Sequence, residues 1–129
     1  MSVIVRAECF GQSRPQEGRQ QTQNQDAFVI CRQPVPWMAL CDGAGNAQSV
    51  GRRALGLLET WTREAKPEDF LRDETWLRWA KRLDSALLNG PEATFVAAAA
   101  VGDEAVGVAA GDSRAYLMPM DGPARLLTG

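Results

Sequence analysis

The sequence predicts an α+β fold in which strands pair antiparallel and the helices pack to one side of the sheets. Three observations lead to this prediction. Short apolar runs come first, two segments with helical periodicity follow, and further short apolar runs come after them. Strands and helices are therefore grouped along the chain, which argues against alternating βαβ units. The 129 residues, 45% hydrophobic and 23% charged, are typical of one globular domain.

Three strands are predicted before the helices. Residues 3–10 are β-branched or apolar with polar interruptions, as in a strand that shows one face to a core. Residues 11–24 are rich in Gln and without a period, which indicates a surface loop. Residues 27–31 and 37–41 are apolar runs separated by turn-forming residues that include two prolines. We expect these two runs to form a hairpin of buried strands.

Two amphipathic helices are predicted next, because the apolar period changes after residue 45. The first helix has polar and charged residues between apolar positions at helical spacing. The second follows Pro67 and ends at the Asn-Gly-Pro stop signal of residues 89–91. The apolar positions are Val50, Ala54, Leu57 or Leu58, Trp61 and Ala65 in the first helix, and Trp76, Ala80, Leu83 and Leu87 in the second.

Residues 94–101 and 105–110 are predicted to be two adjacent buried strands. Four consecutive alanines favour a helix by intrinsic propensity. However, Phe95, Val96 and Val101 flank them, and Gly102 and Asp103 supply a turn before the same small-residue pattern returns. Further short strands are predicted at residues 114–118 and 124–127, each preceded by a glycine-containing turn.

Composition excludes several classes of function. The net charge is −2 and the pI is about 5.1, so no overall positive field favours nucleic acid or an anionic membrane. The chain contains no histidine, which removes every Ser-His or Cys-His nucleophile pair. No signal peptide or membrane-spanning run is present, and we expect a soluble, cytoplasmic protein. The cysteines at 9, 31 and 41 lack metal-binding spacing and are interpreted as reduced core thiols.

Three aspartates share one local setting, at the ends of apolar strands. Asp26, Asp42 and Asp112 could converge on one edge of a sheet if their strands are neighbours. Carboxylates of this kind suit magnesium or manganese, and Gly43 leaves a backbone carbonyl accessible because it has no Cβ. The alternative is that these residues only form turns, where Asp and Gly are common.

Four short motifs in order resemble the metal-dependent protein phosphatase family, the type 2C Ser/Thr phosphatases. The resemblance extends over about residues 3–128, and the QDA sequence at 25–27 is similar to the bacterial branch of that family. The motifs are NQDAF at residues 24–28, LCDGAG at 40–45, EATF at 92–95 and GDSRAYL at 111–117.

The resemblance implies a sandwich of two antiparallel sheets flanked by helices, with a two-metal manganese or magnesium centre at one end. It further implies that a metal-activated water attacks the phosphorus of phosphoserine or phosphothreonine directly. On this resemblance Asp42 bridges the metals, the Gly43 carbonyl binds one of them, Asp26 binds directly or through water, and Asp112 helps bind a weaker metal. Asp42 and Asp26 are the expected catalytic residues.

The sequence departs from the family pattern in the first motif. Gln25 stands where the family often has Glu, and Gln21 stands where the phosphate-binding arginine usually lies. Arg19 or Arg14, in the same predicted loop, could take over phosphate binding.

In the family, further strands with two more metal-binding aspartates follow the segment that residues 126–129 resemble. We therefore expect residues 1–129 to be the N-terminal part of one phosphatase-like domain that is inactive alone. The abrupt stop favours a fragment of a longer protein, and the alternative is a naturally shortened relative of the family. In complete form it is expected to be a monomeric enzyme acting on a phosphorylated protein. The alternatives are a catalytically inactive phosphatase-like module that binds a partner, and a small α+β structural domain.

Overall fold

A computed structural model describes residues 26–43, 48–87, 93–111 and 114–127 of the chain. The predicted strand at residues 3–10 and the loop at 11–24 lie outside this part. The elements are β1 (Asp26–Cys31), β2 (Trp37–Gly43), α1 (Gln48–Arg63), a 3-10 helix (Pro67–Leu71), α2 (Asp73–Ala86), β3 (Ala93–Val101), β4 (Glu104–Ala110), β5 (Tyr116–Leu117) and β6 (Arg125–Leu126). None of the helices described is both long and apolar enough to cross a membrane.

The main sheet has four strands in the order β1-β2-β3-β4, and every neighbouring pair is antiparallel. The separate β5–β6 pair is also antiparallel. The predicted hairpin of β1 and β2 is confirmed, as is the turn between β3 and β4. Gly102 there has a φ of 61°, which suits the first position of a two-residue hairpin turn and favours glycine. The α+β prediction with antiparallel strands is therefore confirmed.

The alanine-rich segment is a strand, as predicted, because its position in the sheet outweighs its helix propensity. Ala97 pairs with Ala39 of β2 on one side and with Val108 of β4 on the other. Ala97 and Ala99 are buried beneath the helices. Their small side chains leave room for the bulky aromatic residues that the helices contribute to the core.

The helices cover one face of the sheet. α1 packs on β1 and β2, whereas α2 and the 3-10 helix pack toward β4. Phe70, Trp76 and Trp79 form an edge-to-face aromatic cluster with ring centroids 5.1 to 6.1 Å apart. The indole N–H of Trp76 donates a 2.9 Å hydrogen bond to the Phe70 carbonyl, so its polar atom is satisfied in the core. The hydrophobic core of the described residues therefore lies between this face of the sheet and the helices.

The opposite side of the sheet, here called the open face, carries positions 28, 38, 40 and 42. Because side chains alternate along a strand, these positions point away from the helices. Phe28, Met38 and Leu40 are 47%, 41% and 44% exposed. The prediction that β4 is buried is wrong. β4 is the last strand of the sheet in the described part, and only Val106 and Val108 are even half-buried.

Candidate functional site

Strand register brings three polar residues into one row at an end of the sheet. Asp26 of β1 lies directly opposite Asp42 of β2, and Asp42 lies opposite Thr94 of β3. In an antiparallel sheet, β1 and β3 begin at the end where β2 finishes, so distant segments of chain meet there. Opposed residues of such strands have Cα atoms about 4.5 to 5.5 Å apart. We call Asp26, Asp42 and Thr94 the acidic row.

Asp42 and Thr94 of the acidic row belong to the open face. Their sequence neighbours Cys41 and Phe95 are buried in the core beneath the helices, so the alternation of the strands places positions 42 and 94 on the other side. Asp42 is exposed to solvent. In the part of the chain that the structure describes, no Lys or Arg forms an ion pair with Asp42. Its carboxylate is thus available to a cation from solution.

Cys41 precedes Asp42 in the chain, but its side chain is buried rather than exposed. Burial, and to a smaller extent the charge of the neighbouring Asp42, together raise the pKa of the Cys41 thiol to about 11. The pKa of Cys31 is also raised, chiefly by burial and then by the charge of Glu59. Both are free thiols. Cys41 is consequently protonated at neutral pH and is not an activated nucleophile.

Gly111 brings the end of β4 to the same end of the sheet. Its φ is 91°, and a Cβ built on it would lie 2.7 Å from Cγ2 of Thr94. Only glycine fits both the backbone conformation and the space. Asp112 follows Gly111 in the chain and itself lies outside the described residues.

The structure thus brings together three of the predicted site residues at the sheet end, since Gly43 follows Asp42 and pairs with Ala93. Asp112, Arg14 and Arg19 lie outside the described residues, and their roles stay predictions. Over the residues described, no group of three or more His, Cys, Asp or Glu side chains could hold a metal ion.

Sequence reasoning missed Thr94 as a member of the row. Its motif was recognised, but no role was assigned to it. The signal that could have found it is the alternation of β3, in which Thr94 is two positions from Val96 and on the face opposite Phe95.

Comparison with known proteins shows a likeness of fold. No family model matches the chain, and no curated protein matches it. Among solved structures, the serine/threonine phosphatase Stp1 from Staphylococcus aureus matches with a TM-score of 0.71 and 19% identity. The match covers 95% of this chain and 56% of that chain. The two proteins therefore share a fold, and this chain spans little more than half the length of its structural neighbour.

Proposed function

We propose that the chain is part of a metal-dependent phosphatase that hydrolyses phosphoserine or phosphothreonine in proteins. The observation that carries this proposal is the register that sets Asp26 opposite Asp42 at the end of the open face. The shared fold with a serine/threonine phosphatase supports it. The phosphoprotein substrate, monomeric state and cytoplasmic location stay predictions from the sequence.

The oxygen atoms available at this end of the sheet are of the chemical type that hard divalent cations prefer. Two carboxylates and the Gly43 carbonyl suit magnesium or manganese, which keep several waters when few protein ligands bind them. A divalent cation held by Asp26 and Asp42 would acidify a water molecule and neutralise phosphoryl oxygens. Further ligands are needed for a two-metal centre, and Asp112 is the proposed contributor from this chain.

The residues of the chain also favour direct attack by water over a covalent intermediate. There is no histidine to activate a serine or cysteine. The raised pKa of Cys41 keeps that thiol protonated beside the row. Arg14 or Arg19 is proposed to hold the phosphoryl group, since a guanidinium can bind two of its oxygens at once.

Manganese binding tests the site separately from turnover. Titration of the 129-residue chain with Mn²⁺, followed by electron paramagnetic resonance, should show weak binding that falls about tenfold or more in Asp42→Asn, because one of the two carboxylates that would hold the cation is lost. Asp103→Asn is the matched control, since Asp103 is an exposed acid in the turn at the other end of the sheet. Equal binding by wild type and Asp42→Asn would contradict the assignment.

Hydrolysis of a phosphothreonine peptide tests the reaction. We expect negligible activity from residues 1–129 alone, and manganese- or magnesium-dependent activity when they are assayed within a longer natural protein that supplies the remaining ligands. Asp42→Ala should abolish that activity, as should a chelator. Full turnover in Asp42→Ala would remove this residue from the reaction.

An inactive binding module is the second candidate, and the neutral Gln21 and Gln25 favour it. Each stands at a position where the metal-dependent protein phosphatases often carry a charged residue. This candidate predicts binding of a partner without hydrolysis under any metal. The hydrolysis assay therefore separates the two functions.

A further inference from the structure

A groove of about 820 Å³ lies on the outer surface of the two helices. It is lined by residues at helical spacing along one side of α2 and by one side chain from α1. The principal lining residues are Trp61, Glu74, Leu77, Arg78, Lys81 and Arg82. Because the helices cover the side of the sheet opposite the acidic row, this surface is separate from the candidate metal site.

Apolar side chains form part of the groove lining and are accessible from solution. Leu77 is 51% exposed although it sits between the buried Trp76 and the exposed Arg78. The Arg82 guanidinium lies 4.2 Å from the ring centroid of Trp61, within the range of a cation–π contact. This contact joins the two helices and holds a positive charge beside the apolar surface.

The charge of the groove is opposite to that of the chain. Arg78, Lys81 and Arg82 contribute three positive charges against one negative charge from Glu74, whereas the whole chain has a net charge of −2. Within the described ranges, no carboxylate forms an ion pair with any of these three cations. By contrast, Arg63 on α1 lies 3.9 Å from Glu59. The groove cations are thus available for an external partner.

We propose that this groove docks an acidic segment of a partner protein, with an apolar side chain of that segment against Trp61 and Leu77. The cations attract and orient the segment, and burial of the apolar side chain adds affinity. Apolar side chains and the Glu74 carboxylate among the lining cations favour a peptide over an anionic membrane or nucleic acid. Docking here goes beyond the proposed phosphatase reaction and does not depend on it.

The test uses the full 129-residue chain and a fluorescein-labelled peptide of four Glu-Glu-Leu repeats, with binding read by fluorescence anisotropy. The double variant Arg78→Glu/Lys81→Glu should weaken binding by about tenfold or more, because like charges would then face each other. The matched control is Arg52→Glu/Arg53→Glu, which makes the same charge change at exposed positions of α1 outside the groove. We expect the control to bind within about twofold of wild type.

A second variant separates the apolar contact from charge. Leu77→Ser should weaken binding of the Glu-Glu-Leu peptide and leave binding of an all-glutamate peptide unchanged. Because Leu77 is half exposed, the fold should survive, and circular dichroism checks this. Asp42→Asn should bind the peptide like wild type, so that a failure of the metal site does not affect this result.

Three results would overturn the proposal. The first is an equal loss in the groove and control double variants. The second is equally tight binding of a Lys-Lys-Leu peptide. The third is preferential binding to phosphatidylserine vesicles or to single-stranded DNA, which would assign the cations to a membrane or to nucleic acid.

Discussion

On the helix-facing side of the sheet, Trp37, Ala39 and Cys41 are at most 3% exposed, whereas Phe28, Met38 and Leu40 on the open face are 41% to 47% exposed. All six residues come from the same two strands. The difference shows that one antiparallel ladder can bury a core on one side and present polar and apolar groups to solvent on the other. Stability is concentrated on the covered face and the candidate chemistry on the open face.

The contrast is sharpest between two neighbours in sequence. Cys41 is buried and its pKa is raised to about 11, while the next residue, Asp42, is exposed in the acidic row. Their side chains point to opposite faces because the side-chain period of a strand is two. A shift of register by one residue would bury the carboxylate and expose the thiol.

The largest expected effect on stability comes from a substitution in the core on the helix-covered side of the sheet. Trp76→Ala should lower the free energy of unfolding by about 3 to 5 kcal/mol, because it removes a buried ring and its contacts with Phe70 and Trp79. Leu77→Ala, at the next and half-exposed position, should cost less than about 1 kcal/mol. Urea unfolding followed by circular dichroism measures both. An equal loss of unfolding free energy in the two variants would show that α2 does not have one buried and one exposed side.

A smaller effect is expected from overpacking. Ala99→Phe should destabilise the chain by about 1 to 3 kcal/mol, because Ala99 is 1% exposed beneath the helices. Met38→Phe, on the open face, should change stability by no more than about 0.5 kcal/mol. Thermal melts of the two variants test this pair. A melt of Ala99→Phe that matches wild type would place Ala99 outside the core.

The smallest expected effect has the opposite sign. Asp42→Asn should stabilise the metal-free chain by about 0.2 to 1 kcal/mol, because like charges directly opposite on paired strands repel. Mn²⁺ should then raise the melting temperature of wild type and leave that of Asp42→Asn nearly unchanged. Asp103→Asn again serves as control and should respond to Mn²⁺ as wild type does. If Mn²⁺ raised the melting temperature of Asp42→Asn as much as that of wild type, the metal would bind elsewhere than at the acidic row.

Much of the fold could be predicted because its signals are local. The two prolines between residues 31 and 37 and the Gly102–Asp103 turn indicate hairpins without reference to the rest of the chain. The apolar stripes of both helices predict which sides are buried, and Trp76 and Leu83 are buried accordingly. The aspartates were found through short motifs that also lie at strand ends, where chain reversals favour them.

Sequence alone determined the class of fold, the hairpins, the helices and the identity of the candidate acidic ligands, because propensity, turn chemistry and periodicity act between near neighbours. Tertiary structure decided the rest. The pairing of Asp42 with Thr94 joins segments more than 50 residues apart, and it is set by burial of β2 and β3 beneath the helices. The exposure of β4 depends on its place in the strand order, and the groove depends on Arg82 of α2 reaching Trp61 of α1. These features arise from contacts between distant segments, and such contacts form only when the whole core packs.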